Sequence, residues 1–364
     1  NMIVVFPGNK LISTDSIVPI LLELYLEYGI VSRVVTFDQK TFDGINKNVV
    51  IRDSINEFGK LVYIKKNLPS YFYLLFLYLK GFFGAKYIHF GILSHGIMLR
   101  LWSFHSKNIF YSQQDSFKNS VRNHRKIIFN KKPKEITHLG NNVIAFHVFW
   151  PQLEYLKKQQ KKIFLFGETR TRKAWVDRIY KNKKRYFDTY HPSVKKNKVI
   201  VYILGPFCEV MWLREKDSFV KLFKKTILIL NNKFPDTKVL IKPHITTDMK
   251  LVNKAIKGKE QFEITYLHPG MLSTKAMCFI SNLASTTFAD ANSFGVPTVE
   301  FTDYSKPVLN ETGMHSLNPY TSHFINNDLD VFYSCISSIV NSLDNNNILI
   351  GNAKDDSGLI MTLS

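Results

Sequence analysis

Cysteine is scarce: only Cys208, Cys278 and Cys335 occur in 364 residues, far apart from one another. That spacing fits neither a zinc module nor a disulfide framework, so a reducing, cytoplasmic setting is expected. Long apolar runs are missing as well. The longest, Tyr71 to Leu79, ends at Lys80 and falls well short of the roughly 20 residues that cross a bilayer. Its plain reading is a core helix. No basic leader precedes the apolar run Met2 to Pro7, which argues against a secretory signal. Repeats at solenoid periods and low-complexity tracts are also lacking. Acidic side chains are in deficit, with 29 Asp and Glu against 49 Lys and Arg, a net charge of +20.

That excess attracts polyanions: nucleic acid, anionic lipid headgroups or phosphorylated substrates. A nucleic-acid binder is disfavoured, because the chain has no helix-turn-helix, zinc or RNA-binding signature and spreads its cations over both halves. The hydrophobic content of 45% and aromatic content of 14% suffice for two packed cores.

Short apolar runs alternate with helical patterns. Strands are expected at Met2 to Pro7, Ser32 to Thr36, Asn48 to Ile51, Tyr87 to Phe90, Asn108 to Tyr111, Asn142 to Ala145 and Lys162 to Phe166. A helix from Ser16 to Tyr28 follows the first of them. Around 181–198 the pattern gives way to polar, basic sequence, read as a linker. A second series runs from Val199 to Leu204 through Lys238 to Ile241, Phe262 to Tyr266 and Ala276 to Ile280 to Pro297 to Phe301. A terminal helix is expected at Asp330 to Leu343. Strand–helix alternation of this kind predicts α/β architecture with parallel sheets. The expected layout is a doubly wound domain over 1–180, the linker, a second such domain over 199–329, and a C-terminal helix and tail over 330–364. Two such domains would face each other across a central cleft, and ligands of these folds bind at strand C-termini.

Four strand-end loops carry candidate chemistry. In the first, Gly8-Asn9-Lys10 to Asp15-Ser16, Asp15 is a candidate base and Asn9 a candidate acceptor contact; helix capping by Thr14 or Asp15 explains the same residues. In the second, Ser112-Gln113-Gln114-Asp115, the carboxylate could take the proton of an attacking hydroxyl; a turn aspartate is the alternative. The third, Lys242-Pro243-His244, presents two donors to a phosphate. In the fourth, Ser281 to Asp290, clustered hydroxyls of Ser285, Thr286 and Thr287 precede a helix, as anion sites require, and ordinary capping accounts for part of it. Gly205 marks a further strand-end turn and is a candidate donor contact, an ordinary turn explaining it equally well. Glu168 and Arg170, after the last N-terminal strand, are candidate acceptor contacts, with Glu168 a third candidate base; a solvated loop explains the same residues.

The Lys-Pro-His strand end, the Ser-Thr-Thr cluster 41 residues later and the following Ala-Asp-Ala-Asn-Ser-Phe-Gly-Val-Pro resemble the donor half of bacterial GT-B glycosyltransferases. Within these the stretch is most similar to enzymes using CMP-activated acidic sugars, the sialic acid, Kdo and pseudaminic acid transferases of capsule and lipopolysaccharide assembly. In that family a His-Pro motif and a Ser/Thr pair contact the CMP phosphate. His244 takes the histidine's place with Ile245 where proline would stand, and His268-Pro269 is a second, literal match. Ser285, Thr286 and Thr287 take the place of the hydroxyl pair. The family's acidic-acidic-Gly motif has its nearest counterpart in Gln113-Gln114-Asp115, which lacks the glycine and one acid.

The resemblance implies a GT-B fold and transfer of an acidic sugar from a CMP-linked donor, without metal or other cofactor. His244 would stabilise the leaving phosphate, and Asp115 or Asp15 would serve as base in an inverting reaction. The acceptor would be a lipid-linked or oligosaccharide glycan. Independently, the net charge and the basic residues interleaved with aromatics in Tyr71 to Lys80 and Lys181 to Tyr186 suggest contact with the anionic inner face of the cytoplasmic membrane, the core-helix reading of Tyr71 to Leu79 being preferred. A GT-B enzyme using a UDP-sugar or a CDP-polyol is the alternative.

Overall fold

The computed structural model describes residues 2–8, 11–113, 138–146, 153–194, 199–205, 207, 212–244, 246–316, 318–342 and 357–364. Its chain forms two compact units, Asn1–Trp175 with Asn352–Ser364, and Val176–Gly351.

In the first unit seven strands form one parallel sheet: β1 Met2–Phe6, β2 Val31–Thr36, β3 Gly59–Tyr63, β4 Lys86–His89, β5 Ile109–Ser112, β6 Asn142–Ala145 and β7 Lys162–Leu165. Their order is β3-β2-β1-β4-β5-β6-β7. β1 is apolar throughout, as a central parallel strand covered on both faces must be, and Ile3 to Phe6 are fully buried. Around it Val4, Phe6, Tyr87 and Trp102 form the core. The Trp102 ring meets Phe6 and Tyr87 edge-on at 5.2 and 4.5 Å between centroids, an arrangement that aligns ring edge with ring face.

Six further strands build the second unit's parallel sheet: β8 Val199–Ile203, β9 Val239–Lys242, β10 Phe262–Ile264, β11 Ala276–Ser281, β12 Thr298–Thr302 and β13 His323–Asn326. The order is β10-β9-β8-β11-β12-β13. Chain progression therefore reverses beside β8, between β8 and β11, just as it reverses in the first unit between β1 and β4. The expected α/β, doubly wound class is what the chain adopts.

Several local expectations change. Asn48 to Ile51 is not a strand: Asn48 caps the helix Val49–Phe58, its Oδ1 accepting from the Ile51 amide at 3.4 Å. The β-branched run reads as strand over four residues, whereas Ile51, Ile55 and Phe58 recur at helical spacing and are buried. The strand that follows, β3, opens at Gly59, where a Cβ would lie 1.9 Å from the Ser32 carbonyl oxygen; only glycine lets β3 approach β2 there. The first helix begins at Leu11 rather than Ser16, so Thr14 and Asp15 lie inside it. Residues 181–190, expected to be irregular, belong to the helix Lys173–Tyr190. Its Trp175, Val176, Ile179, Tyr186 and Phe187 are buried at helical spacing while its many Lys and Arg occupy the other face. The boundary between the two units falls within this helix. The terminal helix runs Leu329–Asn341, and the chain then returns to the first unit, where Leu359–Leu363 forms a last short helix.

The helix Leu68–Lys80 departs furthest from expectation. Of its residues only Leu77 is buried; Phe72, Leu75, Phe76 and Leu79 are exposed.

Candidate phosphate site at the strand ends of the second unit

β8, β9 and β11 end level: Ile203 pairs with Lys242 on one side and with Ser281 on the other. Their C-terminal loops therefore emerge together at the point where strand order reverses, the usual ligand position of doubly wound sheets. Hydrogen bonds tie the β8 and β9 loops to one another. Leu204 N donates to Lys242 O at 2.9 Å. Thr247 Oγ1 donates to Gly205 O at 3.1 Å and accepts from His244 N at 2.8 Å. Gly205 is walled by Phe219 and Leu283, which a Cβ there would meet at 3.0 and 3.4 Å.

His244 is exposed. Its Nδ1 accepts the Thr246 amide at 3.3 Å and lies 2.8 Å from Thr246 Oγ1. An Nδ1 that accepts leaves the proton of the neutral ring on Nε2, which makes Nε2 the donor.

Asn282, the first residue after β11 and part of the Ser281–Asp290 loop, is fully buried and has a role that its loop position does not announce. Tyr202 Oη donates to its Oδ1, while its Nδ2 donates to Phe301 O at 2.8 Å and Thr226 Oγ1 at 3.2 Å. It thereby locks the root of the hydroxyl loop to β8, β12 and the helix Ser218–Lys233. Its sole sequence signal is a polar residue ending an apolar strand.

Beyond it, Ser285 Oγ and Thr287 Oγ1 lie 2.7 Å apart, and the amides of Ser285 and Thr286 have no hydrogen-bond partner among the described residues. Capping takes little of this loop. The helix Phe288–Ser293 has six residues, no side-chain bond caps it at Thr287, and Ser285 Oγ accepts only a long 3.4 Å bond from Thr287 N. The loop is held from behind: Ala284 N donates to Tyr304 Oη at 3.1 Å, Asn318 Nδ2 to Ser285 O at 2.7 Å. Tyr304 Oη in turn donates to Glu300 Oε1 at 2.5 Å, and Ser316 and Thr321 donate to Glu300 Oε2. Burial raises the Glu300 carboxyl above the usual carboxylate range, partly offset by those three hydroxyls.

His268 lies beside Asp290, the last residue of the fourth loop. It is fully buried, its Nδ1 accepts from Gly270 N at 3.1 Å at the head of Pro269–Ser273, and Asp290 Oδ1 is 3.8 Å away. The chain's Asp-x-Asp, Asp328-Leu329-Asp330, is a helix cap: Asp328 Oδ1 accepts from the amides of Asp330 and Val331 at 3.1 and 3.0 Å. Among the described residues no cluster of three His, Cys, Asp or Glu could hold a metal ion.

In the first unit, Asp15 is half-buried in the opening turns of Leu11–Tyr28, the helix that follows β1. Glu168 and Arg170 are both buried and face each other, Arg170 Nε donating to Glu168 Oε1 at 3.1 Å. Arg172 forms a bidentate, buried pair with Glu23 and stacks 4.6 Å from the Phe166 ring centroid. The lone acid inside the apolar stretch Ile17 to Leu24 is the signal for that partner, since a buried carboxylate needs a cation. Asn9 and Asp115 lie outside the described residues, as does Ile245.

No protein-family model and no curated sequence matches the chain. Solved structures do. The UDP-GlcNAc 2-epimerase of Methanocaldococcus jannaschii, in complex with UDP-GlcNAc and UDP, superposes with a TM-score of 0.54 at 13% identity, over 99% of this chain and 98% of that one. Os79 from O. sativa, in complex with UDP, gives 0.50 at 10% identity over 94% and 91%. The fold is GT-B. At these identities the likeness is one of fold, and residue roles have to come from the site itself.

Proposed function

We propose that the protein is a GT-B glycosyltransferase whose second unit binds the phosphates of a nucleotide-sugar. One observation supports this reading: β8, β9 and β11 end level at the reversal of the sheet, and the loops that leave them carry Gly205, Lys242 and His244, and Ser285, Thr286 and Thr287. Hydroxyls, backbone amides and an imidazole N–H suit a group that gains negative charge as it leaves. In this reading the hydroxyl loop holds the phosphate from the outset, and His244, with Lys242, meets the charge that grows at bond cleavage. Asp15, on the helix that follows β1, or Asp115 is the proposed base for the acceptor hydroxyl, giving inversion.

UDP is the favoured nucleotide, since the two fold neighbours described above were solved with UDP. The resemblance of the Lys-Pro-His and Ser-Thr-Thr stretches supports a CMP-linked acidic sugar for capsule or lipopolysaccharide synthesis as the finer alternative. A thermal-shift panel of UDP, CMP, CDP and GDP separates them, because a ligand binding only the folded state raises its melting temperature. The largest shift is expected with UDP. A larger one with CMP moves the donor to the nonulosonic acid class, and no shift with any of the four overturns the reading. Conversion of UDP-GlcNAc to its 2-epimer in the absence of acceptor would replace transfer by epimerisation.

A further inference from the structure

One surface of the first unit has no part in the donor reading. Along the helix Leu68–Lys80 the residues Leu68, Phe72, Leu75, Phe76 and Leu79 recur at helical spacing, and all are exposed, Phe72 by 61%. The turn that follows adds Phe82 and Phe83, the latter 83% exposed. The segments Gly96–Trp102 and Ser103–Asn108 add Ile97 at 71% and Phe104 at 77%. Ring contacts join these pieces: Phe82 lies 5.7 Å from Tyr78 and 4.6 Å from His105, and Tyr78 lies 4.7 Å from His105. Glycine makes the junction possible, for a Cβ at Gly81 would stand 2.6 Å from the His105 ring. A contiguous apolar face of this kind is uncommon on a protein left in water.

Its charge is one-sided. Between Glu57 and Asp115 the sequence contains no Asp or Glu and seven Lys or Arg. Lys65, Lys66, Lys80, Arg100 and Lys107 are exposed among the apolar residues. Exposed apolar side chains and exposed cations in a segment without carboxylates match a bilayer whose headgroups are anionic, with the rings at the level of the headgroups and the cations on the phosphates. A second copy of the chain fits poorly, since a two-fold contact would set this carboxylate-free surface against itself. Nucleic acid fits poorly too, because the crest is largely Leu, Ile and Phe rather than polar. No helix among the described residues is long and apolar enough to cross a membrane, so the contact is interfacial.

We propose that this face, formed by Leu68–Lys80, Gly81–Phe83 and the segment 96–108, docks the protein on an anionic bilayer surface. The proposal is independent of the nucleotide bound by the second unit. Sedimentation of the full chain with phosphatidylcholine vesicles, alone or mixed with phosphatidylglycerol, tests it at low and high salt. Binding is expected only to the mixed vesicles, weakening as salt rises. A variant carrying Phe72→Gln, Phe83→Gln and Phe104→Gln should bind about tenfold more weakly, and so should one carrying Lys65→Gln, Lys66→Gln and Lys80→Gln. All six side chains are exposed, so melting temperatures should stay near that of the parent; if the aromatic triple unfolds, Phe83→Gln alone serves. Failure to sediment with the mixed vesicles, equal binding of either variant and the parent, or a stable dimer that the aromatic substitutions dissociate would each overturn the proposal.

Discussion

Behind the hydroxyl loop, Glu300 receives Tyr304, Ser316 and Thr321, and two of these lead forward again, Tyr304 to the Ala284 amide and Ser316 through Asn318 to the Ser285 carbonyl. Removing one phenol oxygen should therefore be felt in the loop. Tyr304→Phe leaves the Ala284 amide and the Glu300 carboxyl each short of a partner, an expected loss of about 1–3 kcal/mol in unfolding free energy. Denaturant titration measures it, and an unchanged midpoint would show that the network bears no load. His244 behaves differently because it is exposed. If it meets charge at the leaving phosphate, His244→Ala should lower kcat by about 10²–10³ with little change in melting temperature and a smaller change in donor affinity. A fully active variant would remove His244 from the mechanism. His244 and Ser285 to Thr287 were legible in the sequence because they sit together at strand ends in a patterned stretch. Asn282, Glu300 and the Glu23–Arg172 pair were not, since their partners are distant in sequence and only the fold brings them within bonding distance.

The helix Phe288–Ser293 has fewer than two turns, so little macrodipole gathers behind the hydroxyl loop, and in the proposed reading its side chains do more of the binding. Ser285→Ala is accordingly expected to weaken nucleotide binding by about five- to tenfold, the worth of one hydrogen bond. Isothermal titration calorimetry checks this, and unaltered affinity would mean that the backbone amides hold the phosphate alone. Central strands such as β1, β8 and β11 were readable as elements, being apolar runs ended by small or polar residues. β13, at the sheet edge, was not: His323–Asn326 is partly exposed and has no apolar run to betray it. Leu68–Lys80 misled in the opposite direction. Its composition says core, yet periodicity alone cannot tell whether an apolar stripe faces the protein's interior or something outside it.

Across the whole molecule, acid should weaken the first unit through His89. This ring is fully buried, accepts from Gly91 N at Nδ1 and donates from Nε2 to Leu139 O, so a second proton has no place to go. Burial first, with help from His138, His95 and Lys161, pushes its pKa down to about 3. The unfolded chain binds the proton near the ordinary value of about 6.5 and the folded chain does not, so stability falls as pH drops from there toward 3. His89→Gln should flatten that slope, and urea titrations at pH 7 and pH 5 of both proteins check it; parallel slopes would clear His89. Glu300, raised by burial, acts in the opposite sense, its contribution being complete below about 4.5 and lost as pH climbs through its folded value. The two-fold repetition of a doubly wound sheet was legible at this scale from strand–helix alternation alone. The return of the chain's last residues to the first unit was not, because a five-residue helix carries no signature of the sheet it joins.

That return has a consequence for biosynthesis. Leu359, Ile360 and Leu363 are buried in the first unit, and Lys86 Nζ, beside the central strand β1, donates to Thr362 O at 2.5 Å. A ribosome finishes β1 to β7 well before it makes those residues, and at about 5–20 residues per second the wait is on the order of ten seconds or more. Through that interval the nascent first unit keeps an uncovered apolar seam, a natural landing place for a chaperone. It can close only after the second unit has left the exit tunnel.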